Sequence, residues 1–329
     1  MSFDRIGVIG GGAWGTALAQ VAASGGREVL LWALEDDVVA AVNRIHENPV
    51  YLPGVKLDLG IRATGNFSEL ADRDAWLVVT PAQHTRAVLE RMPCPEMPLV
   101  LCAKGIEESS GALLHEVARE VCPTSPIAIL SGPTFAHEVA DGLPTAVTLA
   151  AEEGSIAEQL RERIARPTFR IYVSDDVAGA EIGGAVKNVL AIACGVVEGA
   201  KLGQNARAAL IARGFAEMTR FGLAYGARPE TLTGLSGLGD LVLTCTSTSS
   251  RNYSLGVGIG QGRSAAELLA DRRSIAEGAF TAPVLARISR EKGVDMPIVN
   301  AVDALIAGRA GVDEVLDELL SRPARAEGV

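Results

Sequence analysis

Ile6-Gly7-Val8-Ile9-Gly10-Gly11-Gly12-Ala13-Trp14-Gly15 carries a Gly-x-Gly-x-x-Gly spacing at Gly10, Gly12 and Gly15. The segment Arg5–Ile9 reads as a strand, and Ala13–Ser24 reads as a helix. In that setting Gly10 permits the tight turn and Gly12 lets a pyrophosphate approach the backbone. Gly15 lets helix and strand pack closely. Free N–H groups and the helix dipole at the helix start then hold the anion. The spacing alone also fits a plain glycine-rich turn; the flanking strand and helix favour a dinucleotide site.

Outward from this turn, short apolar runs recur at Glu28–Trp32, Ala75–Thr80, Leu99–Ala103, Ile127–Leu130, Ala146–Ala150 and Phe169–Val173. Most are continuous rather than alternating, as parallel strands covered on both faces should be. Helical patterns such as Ser110–Val121 separate several of them. The rhythm predicts an α/β fold with a Rossmann-type, doubly wound, mostly parallel sheet over residues 1–175. From 176 to 329 the pattern turns all-helical, with helices expected at Ala265–Leu269, Ala282–Glu291, Pro297–Ala307 and Val312–Leu320. No repeat or linker separates the halves, so a tight interface with the ligand in a cleft between them is expected.

Composition narrows the class. The chain has 329 residues, is 48% hydrophobic and 21% charged, and can bury a sizeable core. Its 36 glycines exceed the typical share of roughly 7% without the period of collagen. A net charge of −10 argues against nucleic-acid or anionic-membrane partners. No apolar run nears the ~20 residues of a membrane span. The five cysteines are odd in number with no Cys-x-x-Cys pair, so reduced thiols in a cytoplasmic protein are expected rather than disulfides or zinc.

Further segments carry chemistry. Leu34 at the end of the second strand is followed by Glu35, Asp36 and Asp37. An acidic residue there bonds a ribose 2′-hydroxyl and favours NAD, whereas a basic one favours NADP; the run reads equally as a solvated helix start. Lys104 follows another strand, as a site residue or an ordinary solvated lysine. Ser131-Gly132-Pro133-Thr134-Phe135 reads as a helix start with Pro in its first turn, offered to an anion or simply capped. On a helix, Ala180, Gly183, Gly184, Lys187 and Ala191 share one face, stripped of side chains apart from the lysine. Close helix packing explains that face, and so does a ligand approaching Lys187 as general base. Gly234–Asp240 ends a glycine-dense loop in a carboxylate that could orient a lysine or cap a helix. Thr244-Cys245-Thr246-Ser247-Thr248-Ser249-Ser250-Arg251-Asn252 offers hydroxyls, backbone amides and a guanidinium to a phosphate, or a Ser cap with an exposed Arg.

In order along the chain, the glycine turn with Trp14, Lys104-Gly105, Ser131–Phe135, Lys187-Asn188-Val189, Gly234–Asp240, Ser250-Arg251-Asn252 and Ala276-Glu277-Gly278 closely resemble the bacterial-type NAD(P)-dependent glycerol-3-phosphate dehydrogenases. The resemblance covers about residues 5 to 308. It implies oxidation of sn-glycerol 3-phosphate at C2 to dihydroxyacetone phosphate, run mostly in reverse to supply glycerophospholipid synthesis. It implies Lys187 as proton acceptor, with Lys104 and Asp240 beside it in the catalytic group. Lys104, Gly132, Thr134, Lys187, Asp240, Ser250, Arg251 and Asn252 then line the substrate. Gly10, Gly12, Ala13, Trp14, Gly15, Leu34, Lys104, Ala136, Arg251, Ile275 and Glu277 fall at NAD or NADP positions. Leu34 departs from the pattern, since many relatives carry a polar or basic residue there, which weakens the case for a 2′-phosphate contact. A homodimer is the expected assembly, with no metal. Two rivals stand beside this reading: a dehydrogenase of another small hydroxyacid, and a nucleotide-sensing protein without catalysis. The phosphate-suited residues argue against the first, and the presence of Lys187, Lys104 and Asp240 against the second.

Overall fold

A computed structural model describes residues 3–91, 96–270 and 276–323. The chain divides into two compact units, residues 1–103 with 112–180 and residues 104–111 with 181–329. The sequence places its division at 175/176. In the structure the chain passes from the first unit to the second within a helix, and the segment carrying Lys104 belongs to the second.

The first unit holds one sheet of β1 (Arg5–Ile9), β2 (Glu28–Trp32), β3 (Ile61–Thr64), β4 (Ala75–Val78), β5 (Leu99–Leu101), β6 (Ile127–Ser131), β7 (Thr145–Ala151) and β8 (Phe169–Ser174). Their order is β3-β2-β1-β4-β5-β6-β7-β8, and every pairing is parallel except β6 with β7. The helices α1 (Ala13–Ala23), α2 (Asp36–Ile45), α3 (Thr85–Leu89), α4 (Leu114–Val121), α5 (Ala136–Ala140) and α6 (Gly154–Ile164) connect the strands. Alternate residues of one strand enter different cores. Ile6, Val8, Leu77 and Val100 pack in one core, while Ile9, Leu30, Trp76 and Leu99 pack in the other. Both faces are therefore apolar, which is why the strands read as unbroken Val, Ile and Leu runs.

Strand order reverses at β1, with β2 on one side and β4 on the other. Open α/β sheets hold ligands at the carboxyl ends of strands beside such a reversal. Two sequence expectations change here. β3 carries no apolar run and was not foreseen; it is an edge strand whose Ile61 and Ala63 are buried while Arg62 is exposed. The expected helix start at Ser131–Phe135 is also displaced. Ser131 still belongs to β6, and α5 begins only at Ala136, so Pro133 lies in the turn before it.

The second unit is built from α7 (Val177–Gly199, its first turn in the first unit), α8 (Gln204–Ala224), α9 (Pro229–Leu232), α10 (Asp240–Cys245), α11 (Arg251–Gly260), α12 (Ala265–Leu268), α13 (Glu277–Glu291), α14 (Pro297–Ile306) and α15 (Val312–Ser321). No strand occurs among its described residues. α7 is long and apolar enough to cross a membrane, yet its apolar window is wholly buried inside the fold. Glycines set its closest contact. A Cβ on Gly195 would lie 2.1 Å from Tyr253 O, and one on Gly199 would lie 2.2 Å from Val257 O. Reciprocally, a Cβ on Gly256 would lie 2.0 Å from Ile192 O, and one on Gly260 would lie 2.3 Å from Val196 O. α7 and α11 thus meet backbone to backbone. Buried Glu217 on α8 accepts the N–H groups of Ile298 (2.8 Å) and Val299 (3.2 Å) at the start of α14. Burial pushes its carboxyl up to about 7 despite those bonds.

Candidate active site

In the first unit, β1 runs into the glycine turn as its sequence dictates. Gly10 has φ +123°, a left-handed conformation that favours glycine, and a Cβ there would lie 2.9 Å from Val79 O. A Cβ on Gly15 would lie 1.9 Å from Gly10 O, so helix and turn touch through bare backbone. Gly12 caps α1 with extended backbone and no side-chain bond. A Cβ on it would meet nothing within 4 Å, which leaves open space above the helix start. Ala13 and Trp14 form the first turn of α1, which holds no acidic residue. The indole N–H of Trp14 is buried without a partner among the described residues. Unfilled N–H groups, a space beside Gly12 and an unpartnered buried donor fit a dinucleotide pyrophosphate.

Asn48 braces this turn and escaped the sequence reading. It is fully buried, and its Nδ2 donates to Gly11 O and Thr16 Oγ1, both at 2.8 Å. Its Oδ1 accepts the N–H of Tyr51 at 3.1 Å. The only sequence signal was the Asn48-Pro49 turn pair. At the end of β2, Leu34 is 73% exposed. Glu35 caps α2, and Asp36 and Asp37 fill its first turn, where acidic residues complement the helix dipole. The acidic run is therefore a helix start, but one whose Glu35 is engaged: its Oε1 accepts the Tyr51 hydroxyl at 2.8 Å. Bonding to that carboxylate, with burial, raises the phenol above its usual range.

Other strand ends in this unit carry buried hydroxyls. Thr80 Oγ1 beyond β4 and Ser131 Oγ on β6 are without partners among the described residues. Gly132 presses against Val147, whose Cα would lie 2.9 Å from a Cβ, and Thr134 Oγ1 lies 3.4 Å from Gly132 O. Ala136 is the first residue of α5.

The second unit gathers the charged candidates. A Cβ on Gly183 would sit 2.4 Å from Ser236 O in the π-helical turn Leu235–Gly239, so α7 nests against that turn. The next residue is Asp240, which opens α10 and is 0% exposed. Its Oδ1 accepts from Lys187 Nζ at 3.1 Å and its Oδ2 accepts from Lys104 Nζ at 2.7 Å. Thr244, one turn along α10, accepts from Lys187 at 2.8 Å and donates its hydroxyl to Asp240 Oδ1 at 3.2 Å. Asn188 Nδ2 donates to Lys104 O at 3.0 Å, and Asn252 Nδ2 donates to Asn188 Oδ1 at 2.9 Å. Asn252 Oδ1 in turn accepts the N–H of Gly278 at 2.9 Å.

The electrostatics follow from burial. Desolvation brings Lys187 down to about 8 although Asp240 opposes it, and the positive charge of Lys104 lowers it further. Burial works to raise Asp240, but the two ammonium groups outweigh it and hold the carboxyl below its usual range. The cluster carries one net positive charge, with an amine able to exchange a proton near neutral pH.

The structure thus brings Lys104, Lys187, Asp240 and Asn252 into one network and adds Asn188 and Thr244, which the sequence places in its candidate segments without assigning them to this cluster. The close-packing reading of the stripped α7 face holds at Gly183, and Lys187 on that face enters the cluster. Ser250 caps α11 by accepting the N–H of Tyr253 at 3.2 Å. Arg251 opens that helix with an exposed side chain, and no bond among the described residues ties it to the cluster. Glu277 is the first residue of α13. Ile275, expected at the cofactor, lies outside the described residues.

Comparison with known proteins shows the family. The family of the NAD-dependent glycerol-3-phosphate dehydrogenase N-terminus matches residues 5–157, and that of the corresponding C-terminus matches residues 176–317. A glycerol-3-phosphate dehydrogenase [NAD(P)+] of Erythrobacter litoralis is 65% identical over 98% of both chains. One of Novosphingobium aromaticivorans is 62% identical over 99% of both. The crystal structure of a glycerol-3-phosphate dehydrogenase from Coxiella burnetii is 38% identical, with a TM-score of 0.92 over 97% of this chain and 99% of that one. With both halves matched in order and relatives aligned end to end, the chain belongs to the NAD-dependent glycerol-3-phosphate dehydrogenase family.

Proposed function

We propose that the chain is an NAD(P)-dependent sn-glycerol-3-phosphate dehydrogenase, with Lys187 as its acid–base group. The observation that carries the assignment of Lys187 is its burial against Asp240 and Lys104, with a pKa brought to about 8. NAD(P), when bound, supplies the hydride acceptor. In the oxidative direction neutral Lys187 takes the proton from the C2 hydroxyl as C2 gives up its hydride and becomes a carbonyl. In the reductive direction protonated Lys187 faces the carbonyl oxygen, stabilises the alkoxide as it develops, and returns the proton. Asp240 holds the Lys187 ammonium in place, and Lys104 on the other oxygen keeps the Lys187 pKa low. Thr244 fixes Lys187 from a second direction.

Arg251, with Ser250 and Asn252, is assigned to the phosphate of the substrate, because a planar guanidinium suits a phosphate dianion. The product of the reductive direction is the backbone on which glycerophospholipids are built, and a homodimer is the assembly that accompanies the reading. The experiment is reduction of dihydroxyacetone phosphate followed with NADH and with NADPH. Turnover with either establishes the reaction; no turnover with both would refute it. A Lys187→Ala enzyme that kept substantial kcat would overturn the acid–base assignment alone.

A further inference from the structure

The carboxyl end of β2 lies directly against the glycine turn. Gly10 N–H donates to Trp32 O at 3.0 Å, and a Cβ on Gly11 would lie 2.5 Å from the Ala33 Cβ. Leu34 and Glu35 therefore follow at the place where a Rossmann fold meets the adenosine ribose. Leu34 is exposed and uncharged. Glu35 is held from the side, because Tyr51 donates its hydroxyl to Oε1 at 2.8 Å. Tyr51 is itself placed by Asn48, the buried amide that grips the glycine turn through Gly11 O and Thr16 Oγ1. One chain of bonds thus runs from the pyrophosphate turn to the Glu35 carboxylate.

The residues that follow that carboxylate in the chain add negative charge. Asp36 and Asp37 follow in the first turn of α2, and residues 33–43 include no Lys or Arg. Asp36 Oδ1 reaches to 3.8 Å of where a Gly65 Cβ would stand, beyond the end of β3. Arg62 on β3 is bonded to Glu69 at 2.9 Å. A ribose 2′-hydroxyl can donate to a carboxylate. A 2′-phosphate dianion placed there would meet the carboxylates of Glu35, Asp36 and Asp37, while the guanidinium of Arg91 lies over the Trp32 and Phe67 rings, 5.1 Å from each centroid.

We propose that Glu35, positioned by Tyr51, accepts the 2′-hydroxyl of the adenosine ribose and makes this chain prefer NAD to NADP. The inference rests on the dehydrogenase reading of the glycine turn and adds the coenzyme that it selects. Tyr51 is a positioning residue, and Asn48 positions Tyr51.

The test pairs kinetics with binding. Rates of dihydroxyacetone phosphate reduction give kcat/KM for NADH and for NADPH, and calorimetric titration of each coenzyme without substrate gives its affinity. The native chain is expected to favour NADH. Glu35→Gln, close to isosteric, is expected to shrink the NADH-to-NADPH ratio by roughly ten- to a hundredfold, the value of one charge-assisted hydrogen bond. Tyr51→Phe should raise KM for NADH while kcat holds, and Leu34→Arg should raise kcat/KM for NADPH at an exposed position. An unmodified chain that uses NADPH equally well or better, or a ratio unmoved by Glu35→Gln, overturns the inference. If dihydroxyacetone phosphate is not reduced at all, the substrate reading fails by itself and the titrations still decide. Tighter NADH supports Glu35 as the selector, and equal affinities reject it.

Discussion

The glycine turn and the Lys104–Asp240–Lys187 cluster are both suited to anions, by opposite means. The turn contributes no charged side chain. Its polarity is backbone N–H groups at the start of α1, and its shape comes from removing side chains at Gly10, Gly12 and Gly15. The cluster is made of charged side chains removed from water, with Asp240 53 positions from Lys187 and 136 from Lys104. A backbone site is local and is fixed by a short spacing. A side-chain site exists only once the fold has joined distant residues, and it then shifts the proton affinity of each member. The first kind holds a ligand; the second can also exchange a proton with it.

The sharpest way to break this contrast is Lys187→Ala. Loss of a general base lowers kcat by about 10²–10⁴-fold, while NADH affinity measured by titration should stay within error. A parallel loss of coenzyme affinity would mean that the two regions do not divide the work. Asp240→Asn comes next: it takes the carboxylate from buried Lys187 and half-buried Lys104, and removing one partner of a buried ion pair costs roughly 3–5 kcal/mol. Urea unfolding checks this, and an unchanged midpoint would show that the lysines do not depend on Asp240. Within the turn, Gly15→Ala should destabilise by roughly 1–3 kcal/mol through overpacking against Gly10 O. Gly12→Ala should leave Tm in place, because its Cβ meets only open space and its φ of −68° suits alanine. It should still weaken NADH binding if the pyrophosphate approaches through that space, as the glycine spacing implies. Equal effects of the two alanines on Tm would contradict the division between packing and ligand.

The mildest test removes nothing. If Lys187 is the base proposed above, glycerol 3-phosphate oxidation needs it neutral, so kcat should rise with pH and level off above about 8. On the same assignment the reductive rate needs the protonated amine and should fall across the same range. A profile flat from pH 6 to 10 in both directions would remove Lys187 from the proton transfer.

How much could be read in advance follows the same division. β1, the turn and α1 were legible because strand period, glycine spacing and helix period are all local. β3 was not, because Ile61-Arg62-Ala63-Thr64 is too short and too polar to signal a strand, and it exists by pairing with β2. Pro133 misled for a local reason as well. Pro favours a first helical turn, but β6 takes Ser131, and α5 starts only beyond Phe135. Lys187 and Asp240 were nameable from a stripped helix face and a glycine loop. Asn188 and Thr244 were not, since only the bonds to Lys104, Lys187 and Asp240 give them a role. Asn48 and Tyr51 are hidden similarly, because an amide buried under the turn looks from sequence like any residue before a proline.

The seam between α7 and α11 has a consequence for how this chain can change over generations. Gly195, Gly199, Gly256 and Gly260 each face a carbonyl of the opposite helix at a distance that admits no Cβ. Every missense change at a glycine codon adds at least that one carbon, so none of the four can drift by a tolerated small step. Selection must purge each variant or wait for a compensating shift of a whole helix, and one of these helices carries Lys187 while the other begins with Arg251. Surface positions such as Leu34, where a longer side chain has room, are free to vary. On the proposed reading of Leu34 and Glu35, coenzyme choice can be retuned in single substitutions on one unit, while the seam on the other stays frozen.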